Sequence, residues 1–302
     1  MRADFNVVTT IKPLHSLISN VMKGVGEPSL IIEGTSNPHN FVLKPSHAKL
    51  LQDADIIFWI GEDLEAFMEK PLSSLAKDTK KISFMELGSI KKLKFRENNI
   101  FDHDDHDDHE DHDDHDGHKE DDHDDHEDHD EHNHGEFDAH LWLDPVNAKK
   151  MVLEISHELS ELDPTNKNSY KANADKTIEV LDRLIEEVNR SLSKDISYVV
   201  FHDAYQYFEQ RFEVTSAGAL TLNPDVLPGA KQIVDIQNLI KKKNIKCIFS
   251  EPQYNPKIIE TLANDTNTST GIMDPLGAYM DKGPSMYSKL IIGIADSIKN
   301  CI

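Results

Sequence analysis

The residues with the most evident chemistry lie between Asp102 and His134, where histidine recurs at nearly every third position. They are His103, His106, His109, His112, His115, His118, His123, His126, His129, His132 and His134. The tract holds 11 of the chain's 17 histidines, and its 19 acidic residues against the single Lys119 give it −18 of the formal net charge of −23. Imidazole suits Zn, Cu and Ni, and interspersed carboxylates add oxygen ligands and concentrate cations nearby. The same acids raise imidazole pKa, so protons compete with metal there. A solubilising linker would need Asp and Glu alone, so the histidine spacing points to metal handling. Many overlapping sites, each costing ordering entropy, predict weak, multiple binding rather than one defined site.

A second set of donors is scattered along the chain. His39 follows an apolar run, His140 stands beside Leu141-Trp142-Leu143, and His202-Asp203, Glu251 and Asp274 each close a strand-like stretch. One histidine at a strand end is ordinarily a hydrogen-bonded loop residue, and Asp274 before Pro275 is compatible with a simple turn. Taken jointly, three histidines and an acid make a workable tetrahedral zinc set. His15, His47 and His157 read as solvated or structural residues.

These donors need a scaffold that gathers strand ends, and the hydrophobic pattern supplies one. Strand-like runs at Phe5–Ile11, Ser29–Glu33, Asp55–Ile60 and Lys81–Leu87 alternate with helical stretches at Leu14–Met22, Pro45–Ala54 and Glu65–Ala76, and a helix follows over Val146–Leu162. Such alternation predicts a parallel sheet flanked by helices, with ligands beyond the carboxyl ends of the strands. From Asp163-Pro164 to Lys194 one uninterrupted helical pattern is too long for an ordinary crossover and reads as a rigid strut. The alternation then resumes with strands at Ser197–Phe201, Phe212–Ala217, Ile245–Ser250 and Thr270–Met273. Helices are predicted through Phe208, at Pro228–Lys242, at Pro256–Ala263 and at Ser285–Lys299. The resulting expectation is an α/β protein of two similar lobes, residues 1–163 and 195–302, joined by a long helix over 164–194. The His/Asp-rich insert, residues 101–135, has no aliphatic core-former after Phe101 and is expected to be solvated and disordered.

The acidic balance argues against nucleic acid and anionic membrane surfaces as partners, and no apolar run is long enough to span a bilayer. Met1-Arg2-Ala3-Asp4 leads straight into the first apolar run without a leader, so the sequence reads either as cytosolic or as a mature form whose leader has been removed. Two cysteines, Cys247 and Cys301, leave two readings open. They are unrelated thiols, or they form a disulfide that ties the last helix to the sheet and implies an oxidising compartment.

A set of motifs carries a family resemblance that covers nearly the whole chain. They are Pro38-His39, the run from Asp55 to Gly61 followed by Glu65-Ala66-Phe67-Met68, the His-rich insert just before His140-Leu141-Trp142-Leu143, and Phe201-His202-Asp203-Ala204-Tyr205. Further along come Asn223-Pro224 with Pro228-Gly229-Ala230, Glu251-Pro252-Gln253 and Asp274-Pro275-Leu276-Gly277. The chain resembles the high-affinity zinc-binding periplasmic proteins of the ZnuA type, the solute-binding components of ABC importers. That resemblance implies a metal site in the cleft between lobes, with His39 and His140 from the first and His202 from the second. It implies Asp274 at the fourth-ligand position, where zinc-specific members can use water or a nearby carboxylate instead. Manganese-binding relatives carry Glu where this chain has His202, which favours zinc. It also implies the Cys247–Cys301 disulfide, a periplasmic location and a monomer. The chain departs from some zinc members in having Pro38, not Glu, before the first histidine ligand.

The expected function is capture of Zn2+ in the cleft and delivery to the membrane permease of an ABC importer, with the insert as an auxiliary low-affinity collector or sensor. Two rivals remain at the level of sequence. A metal buffer or storage protein would act through the insert. A zinc hydrolase would need a general base, for which Glu251 is available, but the chain has no HExxH pair and no nucleophile elbow.

Overall fold

The computed structural model describes residues 5–101, 135–224 and 226–301. The eleven histidines of the insert therefore lie outside the described residues. The first lobe contains β1 (Val7–Thr9), α1 (Lys12–Val21), β2 (Ser29–Leu30), α2 (Pro45–Gln52), β3 (Ile56–Trp59), α3 (Glu62–Glu65), α4 (Glu69–Ser74), β4 (Lys80–Ser83) and α5 (Pro145–Leu162). Its sheet runs β2-β1-β3-β4, all parallel. After α6 (Lys167–Ser191) the second lobe is built from β5 (Ser197–His202), α7 (Gln206–Phe212), β6 (Thr215–Thr221), α8 (Ala230–Lys243), β7 (Cys247–Ser250), α9 (Lys257–Thr266), β8 (Ser269–Ile272) and α10 (Met286–Asn300). This sheet is also parallel, in the order β6-β5-β7-β8. The two-lobed α/β architecture is the one expected from the alternation of strands and helices.

Parallel strands covered on both faces become continuous apolar runs. Ile56-Ile57-Phe58 of β3 and Tyr198-Val199-Val200 of β5 are accordingly inaccessible to solvent. Helix starts follow proline and capping chemistry: Pro45 opens α2, and Pro145 opens α5 behind Asp144, whose carboxylate accepts the Val146 amide at 2.8 Å. Helix α6 is 25 residues long, and Tyr170, Ala174, Thr177, Leu181, Leu184 and Val188 are buried along one face. That spacing of three and four packs the stripe against α5, α1 and α10.

Two local readings of the sequence are corrected. The stretch Glu65–Ala76 is not one helix. It is split by a 3₁₀ turn at Ala66–Met68, because the Glu65 carboxylate folds back to accept the amides of Ile60 at 2.8 Å and Gly61 at 3.2 Å. The strand expected at Phe212–Ala217 begins later. Phe208 and Phe212 pack on successive turns of α7, with tilted rings whose centroids are 4.6 Å apart, and the helix ends only at Glu213, held left-handed at φ 52°.

Helix α6 is not the sole link between the lobes. Residues 91–101 leave α5, where Asn147 clamps both backbone groups of Lys91, and cross to the second lobe. There the Phe101 amide donates to Ala217 and the Ala219 amide to Asn99, both at 2.9 Å, so the segment pairs with the edge of β6. Gly218 permits this approach, since a Cβ there would lie 2.5 Å from the Asn99 carbonyl oxygen. Helix α10 also crosses back, packing on α1 and α6 as well as β8. Beside it, buried Lys12 donates to the carbonyls of Gly277, Ala278 and Met280 at 2.9, 2.7 and 3.0 Å.

Candidate metal centre

Each candidate donor stands where a strand or its connecting loop ends. His39 is in the loop after β2, His140 leads into the 3₁₀ turn Leu141–Leu143, and His202 is the last residue of β5. Glu251 follows β7 and Asp274 follows β8. The structure brings His39, His140 and His202 together, with one nitrogen of each within 4.8 Å of the others. Among the described residues no other group of three or more His, Cys, Asp or Glu converges in this way.

The closest pair is Nε2 of His140 and Nε2 of His202, 3.3 Å apart. Two nitrogens on a tetrahedral zinc, each about 2.0–2.1 Å from the ion, are separated by about 3.3–3.4 Å. The pair from opposite lobes thus already stands at the edge length of a zinc tetrahedron. His39 completes the face, its ring centroid 5.5 Å from that of His140 and 6.0 Å from that of His202. Behind the two buried rings sit carboxylates: Asp138 Oδ1 is 2.7 Å from His140 Nδ1, and Glu251 Oε1 is 2.7 Å from His202 Nδ1. Each Nδ1–H donated to its carboxylate leaves the Nε2 lone pair facing the cavity, which is the tautomer a metal ligand needs. Burial works most strongly against a charged His202, yet Glu251, together with Asp203 and Asp138, outweighs it and raises the pKa.

The cavity between the rings is about 10 Å3, walled by Trp142, Tyr254, Pro275 and Leu276. That is space for one water-sized body. Polar anchors hold the walls: the Trp142 indole N–H donates to Pro275 at 2.8 Å, across the lobes. Pro38 lines the same cavity and contributes no carboxylate.

Asp274 is placed close by but is otherwise engaged. Its Oδ1 accepts the amides of Leu276 and Gly277 and the Gln253 side chain, all at 3.0 Å, and its Oδ2 accepts the Ala278 amide at 2.5 Å. In this arrangement it organises the loop that Lys12 grips from the other side. Among the described residues, the other three histidines do not approach the site. His15 is buried between Ser19 and the Pro28 carbonyl, His47 accepts the Lys44 amide at the start of α2, and His157 is exposed on α5.

Asp138 is the functional residue the sequence reading missed. Its signal was the Asp-Ala-His spacing, which lets one carboxylate oxygen accept both the backbone amide of His140, at 2.9 Å, and its Nδ1–H. Away from the cleft, Cys247 and Cys301 are joined in a disulfide that ties the end of α10 to β7, with Cα atoms 5.8 Å apart.

Two parallel-sheet lobes on a long helix, with a histidine cluster between them that could hold a metal ion, give the architecture of a solute-binding protein. The sequence model of the family described as "ZnuA: Zinc-uptake complex component A periplasmic" matches residues 7–301. The chain is 45% identical to the high-affinity zinc uptake system protein ZnuA of Brucella abortus, the alignment covering 98% of this chain and 91% of that one. It is 32% identical to the protein of the same name from Yersinia pestis, with the same coverage. In structure it is similar to a crystal structure of ZnuA, with a TM-score of 0.77, 21% identity and 99% of both chains covered. It is also similar to the binding protein FpvC of Pseudomonas aeruginosa in complex with Mn2+, with a TM-score of 0.76, 19% identity and 99% of both chains covered. The chain belongs to the ZnuA family of periplasmic zinc-uptake binding proteins.

Proposed function

We propose that this protein captures Zn2+ through His39, His140 and His202 in the inter-lobe cleft and delivers it to the membrane permease of an ABC-type zinc importer. The observation that carries this reading is the 3.3 Å separation of the His140 and His202 Nε2 atoms, with a carboxylate behind each ring. An all-nitrogen face selects zinc over the harder manganese, which prefers oxygen donors. Water takes the fourth position on this reading. Asp274 reaches the metal only by giving up the amides of Leu276, Gly277 and Ala278. The disulfide suits an oxidising compartment such as the periplasm, and the protein acts there as a monomer. The lobes correspond to residues 1–163 and 195–302. The His/Asp-rich insert serves as an auxiliary, low-affinity collector that raises zinc concentration near the cleft.

The test is a zinc titration against a chelator of known affinity, run on the full chain, on a chain lacking residues 102–134 and on His202→Ala. One tight equivalent that survives the deletion and disappears in His202→Ala is the expected result. Loss of tight binding on deleting the insert would instead make the insert the site and the protein a metal store.

A further inference from the structure

The zinc reading makes the distance between His140 and His202 the critical dimension of the site, yet these residues belong to different lobes. Something must hold that distance before the metal arrives. Helix α6 packs on α5, α1 and α10, none of which carries an imidazole of the site. The segment 91–101 does reach the site. Its backbone is fixed to both lobes: the Leu93 amide donates to the Tyr207 hydroxyl at 3.0 Å, the Tyr207 hydroxyl donates to the Asp138 carbonyl at 2.7 Å, and the Asp138 amide donates to the Leu93 carbonyl at 2.8 Å. Asp138 is the partner of His140. From the same segment Arg96 enters the second lobe, where Nη1 meets Asp203 Oδ1 at 2.6 Å and Nη2 meets Glu209 Oε2 at 2.5 Å. Its guanidinium lies 4.0 Å over the Phe101 ring. Asp203 is the residue after His202, and its amide donates to Thr221, so the end of β5 is held by that fork and by β6.

We propose that Arg96 is a positioning residue that latches the lobes together and sets the spacing of His140 and His202 in the metal-free protein. The latch rests on the zinc reading only for its consequence, not for its geometry. Both acids it grips are buried, each 4% exposed in its side chain, whereas Arg96 is 19% exposed. A planar fork that bonds two acids at once fixes orientation as well as distance, which the point charge of lysine cannot do. Without the latch the lobes sample wider separations, and only the fraction at the right spacing binds zinc tightly.

Two variants test this. Arg96→Lys keeps the charge and loses the fork. The triple variant Arg96→Met, Asp203→Asn, Glu209→Gln removes the whole ion network without leaving a buried charge unpaired. Urea unfolding of the metal-free forms establishes that they fold. Spin labels at exposed Lys49 of the first lobe and Glu260 of the second report the inter-lobe distance without metal, and chelator competition reports zinc affinity. The latch predicts a broader, longer metal-free distance distribution in both variants, restored by zinc, and zinc binding weakened about tenfold as the binding-competent fraction falls. A folded variant with the wild-type distance distribution overturns the latch, whatever its zinc affinity. A variant that is merely less stable, with unchanged distances, overturns it too. Wild-type protein that shows no tight zinc equivalent refutes the zinc reading instead, and the metal-free distances then still judge the latch.

Discussion

Replacing Glu251 by Gln probes the site without touching a ligand. The Glu251 carboxylate stands 2.7 Å from Nδ1 of His202, with side chains 1% and 3% exposed, so the pair is out of water. Glutamine is nearly the same size and its amide oxygen still accepts the Nδ1–H. The substitution therefore removes charge and keeps tautomer and ring orientation. Losing an orienting partner of a metal-bound histidine costs about 10–100-fold in affinity, and a retained hydrogen bond places this variant near the lower end, about tenfold or about 1.4 kcal/mol.

Proton competition gives the prediction a second arm. In the wild type, burial disfavours the imidazolium at His202, but Glu251, with Asp203 and Asp138, overrides it and raises the pKa above 6.5, so protons already compete with zinc before the pH has fallen to that value. With Gln at 251 the strongest of the influences opposing burial is gone and only Asp203 and Asp138 remain, so His202 stays neutral to lower pH than in the wild type and proton competition starts later. The wild type should thus bind about tenfold tighter than Glu251→Gln near pH 8, and the gap should narrow toward pH 6. Competition with a chromophoric chelator at the two pH values measures both arms. Equal affinities near pH 8, or a gap that widens in acid, would refute the role assigned to Glu251.

Glu65 gives a stability prediction free of metal. Burial, only partly offset by the Thr10 hydroxyl and the amides of Gly61 and Ile60, raises its carboxyl from 4.5 to about 7. A folded pKa above the unfolded one means that stability is full in acid and lost as pH rises from 4.5 to about 7. Glu65→Gln should therefore be more stable than the wild type above that window by roughly 3 kcal/mol, with the advantage gone below it, as read by urea unfolding at several pH values. Removing the disulfide by Cys247→Ala with Cys301→Ala opens a loop with a sequence separation of 54. In the chain-entropy model that costs about 4 kcal/mol, a fall in Tm of roughly 10 °C by calorimetry.

The sequence carried the fold through its periodicities, because parallel strands covered on both faces must be apolar throughout and α6 has no residue that breaks a helix. It placed His39 and His202 at strand ends, which in an open α/β sheet is where ligands gather, while His140 stood only beside Leu141-Trp142-Leu143, a 3₁₀ turn in the structure. Other features depend on distance between segments remote in the chain and leave no local mark. Asp138 looks like one more acid after an acidic tract, and only its i,i+2 spacing to His140 sets it apart. Arg96 lies among Lys91, Lys92 and Lys94, and nothing in that basic run says that one member alone turns inward onto Asp203 and Glu209. Glu65 reads as a helix former, yet its side chain ends the helix it was expected to start. In each case a polar side chain is diverted by a buried partner, and burial is a property of the folded chain.

The way the site is assembled constrains how it lets go. His140 with Asp138 and His202 with Glu251 are matched imidazole–carboxylate pairs brought nose to nose from opposite lobes. Helix α6, the segment 91–101 and α10 all cross between those lobes, so on the proposed zinc reading little ordering remains to be done when the ion enters, which favours tight binding. The same rigidity makes release by spontaneous opening slow. Zinc leaves quickly only if the imidazoles are protonated or if an outside contact forces His140 and His202 apart. On the transport reading the second route belongs to the permease, whose binding energy must be spent on separating the lobes against their three crossings.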